Sequence, residues 1–127
     1  MLSRKSNSWF LTISCVATLL GCSAAEKEVS FSKDVMPILT QNCLHCHTVG
    51  AEGQVASGLS MENYADLMKG TKLGPVIQPG QSYASTFQIL VEHKADQSLN
   101  MPKGGIKLNS DQIELIGKWI DQGAKNN

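Results

Sequence analysis

The sequence has no long hydrophobic run, no block of like charges, no internal repeat and no low-complexity tract. Its apolar N-terminal stretch, WFLTISCVATLL (residues 9–20), has 12 residues, against about 20 for a bilayer-spanning helix. Eleven basic and eleven acidic residues cancel, so the electrostatic footprint of a nucleic-acid binder is missing. No segment alternates apolar and polar residues as half-buried strands do, which argues against a sheet. Arginine occurs only at Arg4. A chain of 127 residues suits one domain and not comfortably two.

What is present begins with residues 1–21. MLSRKSNS carries Arg4 and Lys5 and no acid, then comes the short apolar run, then small residues. This is the layout of a secretory signal peptide; a first helix of the folded core is the rival reading. The run ends in Leu19-Leu20-Gly21-Cys22, which resembles a bacterial lipobox, where cleavage precedes a cysteine acylated on its sulfur. Ordinary cleavage near Ala24 or Ala25 is the alternative. The cysteine count favours lipidation: Cys15 leaves with the signal, Cys22 takes lipid, and Cys43 remains with Cys46 as a pair. The mature chain would keep 127 − 21 = 106 residues, with nine basic against eleven acidic side chains and no arginine. Residues 22–30 then read as a membrane tether and 31–125 as the domain. Two or more acyl chains hold a protein firmly at a bilayer. SAAEKEV as a flexible coil reaches only about 15 Å, which keeps the domain close to the lipid, on the periplasmic side of a bacterial membrane.

Within the domain the patterns are helical. Ser32 can cap a helix from Lys33 to Cys43, with Pro37 near its first turns and Val35, Ile38, Leu39 and Asn42 on one face. TVGAEGQVASG (48–58) reads as a loop of small residues. SMENYADLMKG (60–70) reads as a short helix capped by Ser60 and stopped by Gly70, and SYASTFQILVEH (82–93) as another. GPVIQPG (74–80) and NMPKGGIKL (100–108) are irregular. The clearest helix is 109–123: Asn109 and Gln112 make a capping box, Ile113, Ile116 and Ile120 a stripe, and Gly123 a stop. About four short helices joined by long loops give an all-α domain that lacks the material to fill its own centre. A flat apolar cofactor wrapped by the loops would fill it.

QNCLHCHTVG (41–50) offers such a cofactor a point of attachment, because Cys43, Cys46 and His47 form C-x-x-C-H. Zinc would need four converging ligands, and no second C-x-x-C or paired histidine motif occurs. A redox disulfide of this spacing belongs in a βαβ setting, whereas both flanks here are helical. Covalent haem uses every part of the motif: the two thiols add across the two vinyl groups, and the following histidine lies under the iron. Attachment of this kind occurs outside the bacterial cytoplasm, in accord with the export signal.

For a second axial ligand, Met36, Met61 and Met68 fall at amphipathic spacing on helices, where methionine is usually a core filler. Met101 lies in an irregular loop beside Pro102, from which a thioether can approach the face opposite His47. His93 or an open iron are the alternatives. His45 lies within the attachment motif and reads as solvated, and Trp119 and Tyr64 read as core.

FSKDVMPILTQNCLHCH, ASGLSMENYADLMKG, GPVIQPGQSYAST, NMPKGG and LNSDQIELIGKWIDQGA resemble, in order, the cytochrome c domain named after planctomycete proteins, a class I c-type relative. The resemblance runs from Phe31 to Ala124. It implies a small class I cytochrome c-like fold, one haem c, His47 before the iron and Met101 behind it. Thr48 departs from a frequent glycine and Gln81-Ser82 from a frequent Asp-Pro. Class I relatives orient the haem histidine through a proline carbonyl, for which Gly74-Pro75 and Pro79 are both candidates. The implied activity is electron transfer between redox protein partners rather than catalysis. The alternative is a haem peroxidase or gas sensor with an open or labile distal iron, against which stands the lack of a distal arginine–histidine pair.

Overall fold

The computed structural model describes residues 26–127; the stretch read as a signal peptide, the lipobox-like segment and Cys22 lie outside the described residues. Among the described residues there are six α-helices and no β-strand, with a single isolated bridge between Thr71 and Gly74. The all-α expectation holds, with more and shorter helices than the four expected.

A π-helical turn, Phe31–Val35, runs directly into α1, Met36–Asn42. Pro37 stands in the first turn of α1, where its missing N–H costs no hydrogen bond. The cap is Ser30, whose Oγ accepts from the Lys33 amide at 3.3 Å. Ser32, expected in that role, instead donates its hydroxyl to the Asn127 carbonyl at 2.9 Å. Phe31, Val35, Ile38 and Leu39 repeat at helical spacing and are all buried, each such burial contributing roughly 1.5–3 kcal/mol.

Three later elements depart from the sequence reading. Glu52–Ser57, expected as loop, is a helix, α3, that ends at Gly58. The next, α4 (Tyr64–Lys69), starts later than expected because Asn63, not Ser60, caps it, accepting from the Asp66 amide at 3.0 Å. The expected helix over 82–93 is broken at Ser85 into a 3-10 turn (Ser82–Ala84) and α5 (Thr86–Val91). The buried Ser85 hydroxyl donates to the Gln81 carbonyl and accepts from the Gln78 amide, both at 2.9 Å, and so draws the backbone out of helical register. Gly70 closes α4 at φ 82° and ψ −149°, a conformation open essentially to glycine alone. A Cβ there would lie 2.3 Å from the Gly74 carbonyl oxygen.

Helix α6, Ser110–Asp121, begins with the expected capping box between Asn109 and Gln112. Its buried face is Ile116, Gly117, Trp119 and Ile120, with Ile113 at the margin. Trp119 joins three parts of the chain. Its ring lies 5.4 Å from Phe31 and 6.4 Å from Tyr64, which meets Phe31 edge-on at 5.2 Å. The polar ends of both large aromatics reach the C-terminal segment: Trp119 Nε1–H donates to the Lys125 carbonyl at 2.9 Å and the Tyr64 hydroxyl to the Ala124 carbonyl at 2.8 Å. Tyr64 and Trp119 are therefore core residues, as expected.

The segment preceding Phe31 is bound to this same corner. The Val29 amide donates to Gln122 Oε1 at 2.8 Å, Gln122 Nε2 donates to the Lys27 carbonyl at 3.1 Å, and the Phe31 amide donates to Asn127 Oδ1 at 2.8 Å. Residues 27–30, part of the stretch read from sequence as tether, thus dock on the domain, and Asn127, beyond its expected end, is bonded to the same corner. Replacing Trp119 by alanine removes the shared partner of the first helix, α4 and α6, and thermal or urea unfolding should register a loss of about 3–5 kcal/mol.

Candidate haem site

Cys43 ends α1 and opens α2, a single turn over Leu44–His47. The amides of Cys46 and His47 both donate to the Cys43 carbonyl, at 3.1 and 3.0 Å, and the Thr48 amide donates to that of Leu44 at 3.0 Å. Residues three and four apart on such a turn share a face, so one turn brings Cys43, Cys46 and His47 together. Both thiols are free, Cys43 buried and Cys46 half-buried. Burial, reinforced by the charge of Cys46, pushes the Cys43 thiol up to about 11. A redox Cys-x-x-Cys needs the opposite, a stabilised thiolate. Zinc fares no better: Cys43, Cys46 and His47 share the turn, but among the described residues no three His, Cys, Asp or Glu side chains are placed so as to hold a metal ion.

The His47 ring is buried, and its Nδ1 lies 3.1 Å from the Leu59 carbonyl oxygen. A carbonyl can only accept, so Nδ1 carries the hydrogen and Nε2 keeps its lone pair for a metal. The orienting carbonyl belongs to Leu59, not to Pro75 or Pro79, both of which are exposed. The loop that carries Leu59 is fastened beside His47. The Met61 amide donates to the His47 carbonyl at 2.9 Å, and the Thr48 hydroxyl donates to Glu62 Oε1 at 2.5 Å. The Thr48 bond is the main reason the Glu62 carboxyl lies below its ordinary range. Thr48, a departure from the family's frequent glycine, is thereby a clip across the loop.

Helix α3 closes on the attachment turn from the other side. A Cβ at position 53 would come within 2.8 Å of the Cys46 carbonyl oxygen and 3.2 Å of His47 Cε1, so this approach requires glycine.

Met101 stands on a separate loop between α5 and α6 and makes no hydrogen bond to the attachment turn. Its amide donates to the Leu90 carbonyl at 3.1 Å, and its own carbonyl accepts from His93 Nε2 at 3.0 Å. The side chain is half-buried, and Leu99 and Ile106 on the same loop are exposed. Met61 is fully in the core and Met36 and Met68 pack against it, as expected of fillers. His45 is exposed. His93, the competing candidate ligand, has Nε2 committed to a backbone carbonyl; its contact with Met101 is a local tertiary feature without a sequence signal.

The donor set fits a covalent haem: two unjoined thiols on one turn and an imidazole with Nε2 free, with a thioether, a group that can also bind haem iron, on the separate loop between α5 and α6. Gly53→Ala should push α3 off the Cys46–His47 turn and lower the thermal stability of the haem-loaded protein by about 1–3 kcal/mol.

Residues 43–114, more than half of the 127, match the family model described as Planctomycete cytochrome C. Curated proteins and solved structures yield no match. The matched span begins at Cys43 and includes Cys46, His47 and Met101. Membership implies covalently bound haem c and a role in electron transfer. The chain belongs to the planctomycete cytochrome c family.

Proposed function

We propose that this chain is a lipid-anchored monohaem cytochrome c that carries single electrons between redox protein partners on the periplasmic side of a bacterial membrane. Cys43 and Cys46 would hold the porphyrin through thioethers, His47 Nε2 and the Met101 sulfur would bind its iron, and Cys22 would carry the lipid. The haem supplies an iron that changes oxidation state by one electron, and a thioether ligand favours its ferrous form.

The observation that most favours a carrier over a peroxidase or sensor is the hydrogen bond from His93 to the Met101 carbonyl. It commits the one histidine of the Met101 loop to the backbone, away from acid–base work at an open iron. No arginine is available for that work after residue 21. With His47 and Met101 both on the iron, no position on the metal would remain for substrate. His47 is fixed by Leu59 and Met101 by the end of α5, so the ligands need not rearrange when charge changes.

The docked segment 27–30 suits the anchor. It leaves few residues between Cys22 and the domain, and it meets the domain at the Phe31 end of the first helix. Twelve residues separate Phe31 from Cys43, a rise of roughly 15–18 Å. The haem is thereby carried at the end of that helix away from the lipid, where a soluble or membrane-bound partner can reach it.

The export-competent chain should be produced with haem-maturation machinery. A c-type spectrum that survives denaturation, a long-wavelength ferric band characteristic of methionine ligation, and no reaction of the ferrous form with carbon monoxide are expected. Met101→Ala should abolish the band and admit carbon monoxide, and Cys22→Ala should move the protein from membrane to soluble fraction. Immediate binding of carbon monoxide by the unaltered protein would favour the enzyme or sensor reading instead.

A further inference from the structure

Helix α5 ends in a two-bond closure. The Lys94 amide donates to the Ile89 carbonyl at 3.1 Å and the His93 amide to that of Leu90 at 3.2 Å. The residue at the bend must be left-handed, and His93 has φ 60°. Glycine is the usual occupant of this position because a Cβ is disfavoured there. A histidine is therefore the costlier choice for the backbone, and nothing in the helix closure itself uses its ring. The ring reaches across the loop instead, and its Nε2–H donates to the Met101 carbonyl.

The bond does not act alone. The Leu90 carbonyl, which already accepts from His93, also accepts from the Met101 amide at 3.1 Å. Both backbone polar groups of Met101 are thus tied to the last turn of α5. The residues between are folded back on themselves: the Leu99 amide donates to the Asp96 carbonyl at 2.8 Å and the Ala95 amide to Asn100 Oδ1 at 3.2 Å. Helix α5 is in turn anchored in the core through Phe87 and Val91.

We infer that His93 is a positioning residue for the distal ligand: its ring fixes the Met101 backbone to α5, so that the thioether is held at the iron rather than sampling positions away from it. This rests on the reading of Met101 as the axial ligand. The left-handed backbone and the ring can be separated by mutation, because glycine keeps the first and removes the second.

The test uses the full haem-loaded chain and its His93→Gly and His93→Gln variants. Thermal unfolding of His93→Gly should be unchanged or improved, since glycine relieves the bend. Its long-wavelength methionine band should weaken, and the ferrous form should take up carbon monoxide roughly tenfold more readily, the effect of one lost hydrogen bond. Glutamine, with a donor at similar reach, should restore most of the band. An unchanged band and unchanged carbon monoxide uptake in His93→Gly would overturn the inference, as would equal loss in the glycine and glutamine variants. A band absent from the unaltered protein, or surviving Met101→Ala, would remove the ligand assignment itself and this inference with it.

Discussion

The hydrogen bond from the His47 ring to the Leu59 carbonyl is the contact on which the site depends. It selects the tautomer, and so decides that Nε2 is the nitrogen with a lone pair to give. It also fixes where the loop after the attachment turn must run. Leu59 has to lie beside His47, so residues 48–58 must turn back within a short span, and they do so as the small helix α3 with Gly53 against the Cys46–His47 backbone. The Thr48–Glu62 bond and the Met61 amide close the same loop from its far side. A single orientation requirement on one imidazole thus accounts for the path of some fifteen residues.

The remainder of the fold supplies a rigid frame for that turn. The described helices are short, from four residues in α2 to twelve in α6, and isolated helices below about 12–15 residues are marginal in water. Their stability comes from tertiary contacts: the Phe31, Tyr64 and Trp119 rings at one end, and a buried apolar core that includes Val35, Ile38, Leu39, Ile116 and Ile120. In the proposed carrier the haem completes this packing at the other end. The two ends of the first helix then have different tasks, one holding residues 27–30 and the C-terminal segment, the other holding the cofactor.

Much of this was legible in the sequence, and the exceptions have physical causes. That Cys43, Cys46 and His47 share one turn was readable because their spacing of three and four residues is that of a helix. Helix α6 was readable because its capping box and apolar stripe are local signals. Helix α3 was not, since it buries no side chain and exists through the close approach of its backbone to α2. The caps moved for a similar reason: Ser32 was drawn away by the Asn127 carbonyl, and Ser60 by the folded-back loop, neither of which a local pattern records. The carbonyl that orients His47 and the tie from His93 to Met101 are likewise contacts between residues eight to twelve apart in irregular segments. No periodicity encodes them.

In the proposed carrier the iron keeps His47 and Met101 in both oxidation states. Voltammetry of the haem-loaded chain across a wide range of scan rates tests this most directly. A single reversible one-electron wave, with a midpoint that does not move with scan rate, is the predicted result. A wave that splits or shifts with scan rate, reporting loss of a ligand on reduction, would contradict the account.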